Sequence, residues 1–395
     1  MTTRPCDIAI AGGGLAGGLI ALAVQRARPE LDVRLFEGGE TLGGNHRWSW
    51  FDTDLDADGR ALLAQFRTTQ WPRGYDVVFP EYSRTLDACY NSLSSDDFDE
   101  ALQRELNQGA IATGRQIVGV ARDAITFENG EPVAARAVID CRGFATSPYL
   151  TGGWQVFMGR HLRTATPHGL ERPIIMDAAV EQHGAYRFVY TLPLGAHELF
   201  VEDTYYADAP TLDRSALSQR IDAYCAGHGW EGEILSGETG VLPVITGGNF
   251  AAHQAETRVD GVAQAGARGG FVHPLTSYTM PQAVRIAQLI AANADLPGDQ
   301  LAALLEAEAR RHWRATGFYR MLGAMLMRAA DPGHRYRIFQ RFYRLPEPLI
   351  ERFYAARSTT ADRARVLVGK PPVPITRALA ALTTRGKPLT RDTVA

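Results

Sequence analysis

The chain has 395 residues, more than the roughly 100 to 200 of one ordinary domain, so two or three packed units are expected and a lone small module is excluded. With 45% hydrophobic and 22% charged residues it is globular in composition, which rules out a mainly disordered, collagenous or fibrous chain. The net charge of -3 is unevenly spread: Arg310 to Ala395 carries 18 Lys and Arg against 5 Asp and Glu, and the remainder carries 23 against 39.

In chain order, the apolar run Asp7 to Ala11 leads into Gly12-Gly13-Gly14-Leu15-Ala16-Gly17-Gly18 and then into helix-compatible Leu19 to Arg28. This reads as strand, tight turn and helix. Pro29 closes the helix, and Val33 to Glu37 forms a second strand ending in an acid, completing one βαβ unit. Each glycine of Gly12-x-Gly14-x-x-Gly17 has a physical use. The first permits the turn, the second lets the backbone approach a pyrophosphate, and the third allows close helix-strand packing, while the helix N-terminus attracts phosphate. Glu37 follows Gly12 by 25 residues, where a carboxylate can accept hydrogen bonds from an adenosine ribose.

Asp97 to Asn107 is expected to be helical, Ala110 to Ile125 to hold short strands, and Ala137 to Gly143 to be a buried strand running into a glycine. From Gly153 to Thr204 the pattern turns to β-rich runs such as Pro173 to Asp177 and Tyr186 to Pro193. Beyond Leu301 the chain reads as mostly helical, punctuated by Pro346, Pro348 and Pro371-Pro372. The expected division is 1-50, 85-150 and 255-300 for the nucleotide domain, 51-84 and 151-254 for a β-rich substrate domain, and 301-395 for a helical, basic region. Four scattered cysteines, Cys6, Cys89, Cys141 and Cys225, have no metal-ligand spacing, and no leader pattern opens the chain, so a reducing cytosolic compartment is expected.

Six residues past Glu37 begins Gly43-Gly44-Asn45-His46-Arg47-Trp48. A glycine pair at this distance is similar to FAD-binding oxidoreductases rather than NAD dehydrogenases. A further loop, Ala265 to Pro274, opens a helix through Thr276 and Ser277. In flavoprotein hydroxylases the matching stretch begins Gly-Asp, the acid holding the ribityl chain; here Gly266 is followed by Ala267. The implied FAD contacts are Gly12, Gly13, Gly14, Leu15, Ala16, Gly17, Glu37, Gly44, Asn45, His46, Arg47, Gly266, His273, Thr276 and Ser277.

Several further stretches add to these: Pro173-Ile174-Ile175-Met176-Asp177-Ala178, Tyr186 to Tyr190 with Leu192-Pro193-Leu194, Glu202-Asp203-Thr204, His273-Pro274, and Gln340 to Tyr354. Together with Gly43 to Ser49, they make a chain that resembles the bacterial lycopene β-cyclases along nearly its whole length. The resemblance implies an α/β (α+β) fold: a Rossmann-like FAD-binding domain of the flavoprotein-hydroxylase type, a β-sheet substrate domain and a helical C-terminal region. It also implies FAD kept reduced by NADPH or NADH, and a redox-neutral cyclisation of lycopene to γ-carotene and then β-carotene.

Such a reaction needs an acid to protonate the terminal alkene, negative charge near the resulting cation, and a dry cavity. The family's acid corresponds to Glu202. Strand alternation sets Glu202 on the face of Phe200 and Thr204, with Asp203 on the face of Val201. His46, Asp177, His273 and Asp203 are further candidates for orienting the acid or taking the ring proton, and Trp48, Trp50, Tyr186, Tyr190 and Tyr278 for cation-π stabilisation. An FAD monooxygenase or isoprenoid reductase on the same fold, or a non-catalytic carotenoid binder, remains an alternative. The basic, aromatic segment Gly317 to Arg365 suggests a peripheral protein on the cytoplasmic side of a membrane, and no recognised nucleic-acid module accompanies the charge.

Overall fold

Strand Cys6–Ala11, apolar and almost wholly buried, pairs in parallel with Val33–Phe36 on one side and Val133–Asp140 on the other. The computed structural model describes residues 5–369 and 373–390, so the Pro371-Pro372 break lies outside the described residues. Ile111–Ala112 extends this sheet beyond Val33–Phe36; the hairpin Ile117–Ala121 with Ala124–Phe127, and strand Val262–Gln264, join it through Val133–Asp140. Parallel strands buried on both faces need helices to cover them. Helices Leu15–Ala27 and Met280–Ala291 pack together on one face and share its apolar core.

A second, larger sheet runs in the order Gly232–Gly248, Ser147–Thr164, Glu198–Ala207, Tyr186–Pro193, Ile174–Asp177, Tyr75–Phe79, Tyr82–Leu86. Its two faces are filled differently. Leu199 and Val201 point toward helix Arg214–Gly227 and pack with Ile221, Tyr224 and Trp230. Phe188, Phe200 and Tyr206 point the other way, toward helices from the C-terminal third. Arg47–Phe51, Tyr90–Ser94 and Thr69–Trp71 form a small third sheet, with Tyr90–Ser94 in the middle.

The C-terminal third is helical: Gly298–Ala315, Gly317–Arg328, Tyr336–Phe342, Glu347–Tyr354, Thr360–Leu367 and Ile375–Thr383. Its aromatics correct one expectation. Tyr319, Phe339, Tyr343, Phe353 and Tyr354 do not face outward for insertion into lipid; they are buried in the core against the second sheet, with Phe339 stacked on Tyr186 at 4.3 Å between ring centroids. The large apolar side chains left exposed in this third lie further on, at Leu367, Val368, Ile375, Leu379 and Leu382.

Candidate active site

The glycine turn is built as its spacing implies. Gly12 has φ +102°, a conformation that strongly favours glycine, and its amide donates to Phe36 O at 2.8 Å. A Cβ on Gly17 would stand 2.0 Å from the Gly12 carbonyl oxygen, so only glycine lets the helix start this close to the turn. Nothing lies within 4 Å of a Cβ position on Gly14, whose surroundings are open. Glu37 is fixed at the rim: its Oε2 accepts from Gly13 N at 2.7 Å and its Oε1 from Gly39 N at 2.8 Å.

From this turn a single cavity of about 650 Å³ reaches to the second sheet. At one end it is lined by Gly12, Gly14, Glu37, Gly44 and the loop Gly266, Ala267, Thr276, Ser277; at the other by Phe157, Phe188, Tyr190, Phe200, Leu242 and Phe339. The loop's shape depends on Ser277, held at φ +58° with its hydroxyl donating to Pro243 O at 2.9 Å.

Glu202 opens onto the apolar end. It sits on strand Glu198–Ala207 opposite Gly159 of strand Ser147–Thr164, and Glu238 sits opposite the same Gly159 from strand Gly232–Gly248. Two acids thus flank one glycine, and each carboxyl bears on the other's proton affinity. Thr204 Oγ1 donates to Glu202 Oε1 at 2.6 Å. Burial pushes the Glu202 carboxyl up to about 7, and burial together with the neighbouring Glu202 charge pushes Glu238 well above the ordinary carboxylate range.

A chain of hydroxyls lines the wall beside this pair. Ser49 Oγ and Tyr190 Oη are 2.7 Å apart, Tyr190 and Tyr90 3.1 Å, and Tyr90 and Tyr278 2.6 Å. The phenol of Tyr190 is held far above its usual range by burial and stays neutral. His46 also faces the cavity, and burial lowers its imidazole below the usual range.

The structure gathers some candidates and disperses others. Glu202, His46, Arg47, Trp48, Tyr190, Tyr278, Leu15, Ala16, Gly44, Gly266, Thr276 and Ser277 line the cavity, whereas Gly13 and Gly17 act through the turn and Asn45 points to solvent. Asp203 lies on the opposite face, fully buried against Arg187, whose Nε donates to both carboxylate oxygens at 3.0 and 2.9 Å. Asp177 is equally remote, accepting from Tyr224 Oη at 2.8 Å and from Ala179 N at 3.0 Å. His273 is a loop organiser: its Nδ1 accepts from Leu275 N and Thr276 N at 3.3 and 3.2 Å, its Nε2 meets Phe353 O at 3.1 Å, and burial lowers it to about 3. Trp50 and Tyr186 are core residues. Sequence reasoning passed over Glu238; the signal for it is an acid in step with Gly240 and Leu242 on a strand face, which becomes informative only once the register to Gly159 is known.

A glycine turn on a parallel sheet, opening into a cavity walled by a second, mostly antiparallel sheet, defines the flavoprotein-hydroxylase class of fold. A flavin-dependent brominase shares it with a TM-score of 0.61 at 12% identity over 92% of this chain and 97% of the other. A geranylgeranyl bacteriochlorophyll reductase-like protein of Thermoplasma acidophilum does so with a TM-score of 0.59 at 11% identity, over 96% and 99%. Within that class the chain belongs to the lycopene cyclase protein family, whose model matches residues 7–380. It is 44% identical to a lycopene beta-cyclase of Pseudescherichia vulneris over 93% of this chain and 95% of that protein. It is 40% identical to one of Pantoea ananas over 96% and 98%.

Proposed function

We propose that this chain is a lycopene β-cyclase that closes both ends of lycopene, through γ-carotene to β-carotene, by acid-initiated, redox-neutral cyclisation. The observation that carries the reading is Glu202: a carboxyl raised by burial, facing an apolar cavity continuous with the glycine turn. Such a group holds its proton near neutral pH and can deliver it to a carbon base.

The turn fits FAD. The open approach at Gly14, the left-handed Gly12, the N-terminus of helix Leu15–Ala27 and the anchored Glu37 suit a pyrophosphate and an adenosine ribose, and Gly266, Thr276 and Ser277 suit the rest of the cofactor. Reduced by NADPH or NADH, FAD would supply negative charge to a developing cation. The chain's own residues do the remainder. Glu202 protonates the terminal double bond of lycopene, leaving a tertiary cation; the neighbouring double bond closes on it, forming the ring bond; and loss of a ring proton restores neutrality. Phe157, Phe188, Phe200 and Tyr190 line the cavity, where they would keep water out and offer aromatic rings near the cation. His46, kept neutral by burial on the same wall, is a candidate acceptor for the ring proton.

Lycopene partitions into the bilayer, so substrate capture calls for contact with lipid at the cytoplasmic surface. No helix among the described residues is long and apolar enough to cross a membrane. Peripheral association is supported by helix Ile375–Thr383, which exposes Ile375, Leu379 and Leu382 along one side, near Leu367 and Val368 in sequence. Arg385 adds positive charge worth roughly 1 kcal/mol on an anionic leaflet, whereas Arg377 and Lys387 are paired with Asp331 and Asp208.

The test is anaerobic incubation of the purified chain with FAD, a reductant and lycopene in liposomes. A bicyclic product of unchanged mass supports the reading, with Glu202→Gln losing turnover and keeping flavin. Oxygen insertion or net reduction would replace it with a monooxygenase or reductase, and flavin and lycopene binding without conversion would replace it with a binding protein.

A further inference from the structure

The acid that the mechanism uses has a partner that it leaves unused. Glu238 is 7% exposed, and among the described residues no arginine, lysine or histidine nitrogen lies within ion-pair distance of it. A buried carboxylate without a cation is costly, and a second carboxylate alongside makes it costlier. The pair is nevertheless held together by the fold. Glu202 and Glu238 approach from two strands that flank Gly159, and a Cβ there would stand 3.2 Å from Glu238 Cγ and 2.3 Å from the Phe200 ring. The absent side chain is what leaves room for the two carboxyls to meet. Both residues line the same cavity.

We propose that Glu238 is a positioning residue acting through Glu202: a neutral carboxyl that donates a hydrogen bond to Glu202 and steadies the carboxylate left when Glu202 gives up its proton. This rests on the reading of Glu202 as the acid. The proton count closes. Glu202 transfers its proton to the alkene carbon; the resulting carboxylate accepts from Glu238 and from Thr204, which already donates to it at 2.6 Å. The ring proton passes to a base, for which His46 on the same wall is the candidate, leaving the substrate neutral; Glu202 regains a proton before the next turnover, and Glu238 keeps its own throughout. Of the other groups facing the pair, Arg47, a buried guanidinium near Glu238, favours the ionised form but is outweighed by burial and by Glu202, and Tyr190 is a neutral phenol beside Glu202. Asp203, whose charge also bears on Glu202, points to the opposite face and is paired with Arg187. Burial and the neighbouring Glu202 both favour the protonated form of Glu238.

The role separates two substitutions. Glutamine keeps the shape and an N–H donor and cannot ionise; leucine keeps much of the volume and donates nothing. Glu238→Leu is expected to lower kcat on the order of tenfold or more with little change in KM, and to move the alkaline limb of the pH profile upward, because Glu202 loses a donor that favours its ionised form. Glu238→Gln is expected to restore most of that turnover and the original limb. A reading without substrate accompanies this: the wild-type protein should show a protonated-carboxyl infrared band at pH 8 that Glu238→Gln removes. The proposal is overturned if Glu238→Gln is as impaired as Glu238→Leu, if Glu238→Leu turns over like wild type, or if no such band exists. Should Glu238→Leu fail to fold, the glutamine variant and the infrared band still decide. If Glu202→Gln instead cyclises lycopene, the reading of the acid falls, while the infrared result on Glu238 stands separately.

Discussion

Glu202 and Asp203 are neighbours in sequence with opposite surroundings, and substituting each should fail in a different way. Asp203 is wholly buried and receives three hydrogen bonds from Arg187, with Nη2 donating to Oδ2 at 2.7 Å; Arg187 Nη1 in turn donates to Glu181 O at 2.8 Å. Asp203→Ala leaves the guanidinium buried without its counter-charge. Breaking one partner out of such a pair costs about 3–5 kcal/mol. Divided by a urea dependence of about 3 kcal/mol per molar, that lowers the unfolding midpoint by about 1–2 M. Replacing both partners, as Arg187→Met with Asp203→Leu, should recover much of the loss, because no unpaired charge remains. Glu202→Gln should leave the midpoint near that of the parent at pH 5 and abolish cyclisation. The assay is urea unfolding followed by far-ultraviolet circular dichroism, beside product analysis on the same preparations. An Asp203→Ala protein with an unchanged midpoint and no turnover would refute the assignment of Asp203 to structure and return it to the chemistry.

Other outcomes follow from the same geometry. With Glu202 as the proposed acid, cyclisation needs it protonated, so kcat/KM should fall as pH rises through about 7, and Glu202→Gln should abolish the activity that shows this limb. The linked stability has the same sign: a carboxyl raised in the folded state holds protons that the unfolded chain releases, so stability declines as pH rises from the ordinary carboxylate range through about 7. Glu202→Gln should therefore unfold later than the parent at pH 8 but not at pH 4. Gly17→Ala drives a Cβ to 2.0 Å from the Gly12 carbonyl and should yield protein without bound flavin, read by its visible absorption. Gly159→Ala wedges a methyl group against Phe200 and Glu238, at a stability cost of about 1–3 kcal/mol and with reduced turnover. Serine at Ile375, Leu379 and Leu382 together should cut sedimentation with anionic liposomes while leaving unfolding unchanged; equal sedimentation would remove that helix as the contact.

The glycine-turn unit was legible from local pattern because its requirements are local. A turn that tolerates only glycine, a helix starting at once after it, and an acid ending the next strand are set within one βαβ unit, and Gly12, Gly17 and Glu37 stand where that unit puts them. Period-two alternation likewise separated Glu202 from Asp203 before any packing was known. What alternation does not say is what each face meets. Only the tertiary structure set Arg187 beneath Asp203, Tyr224 on Asp177 and backbone amides around His273, taking three candidates out of the cavity. It also turned the aromatics of the C-terminal helices inward and brought Glu238, 36 positions from Glu202 in the chain, across Gly159 to meet it. Contacts between strands far apart in sequence depend on register and on which side chains are missing, and these are settled only when the whole sheet closes.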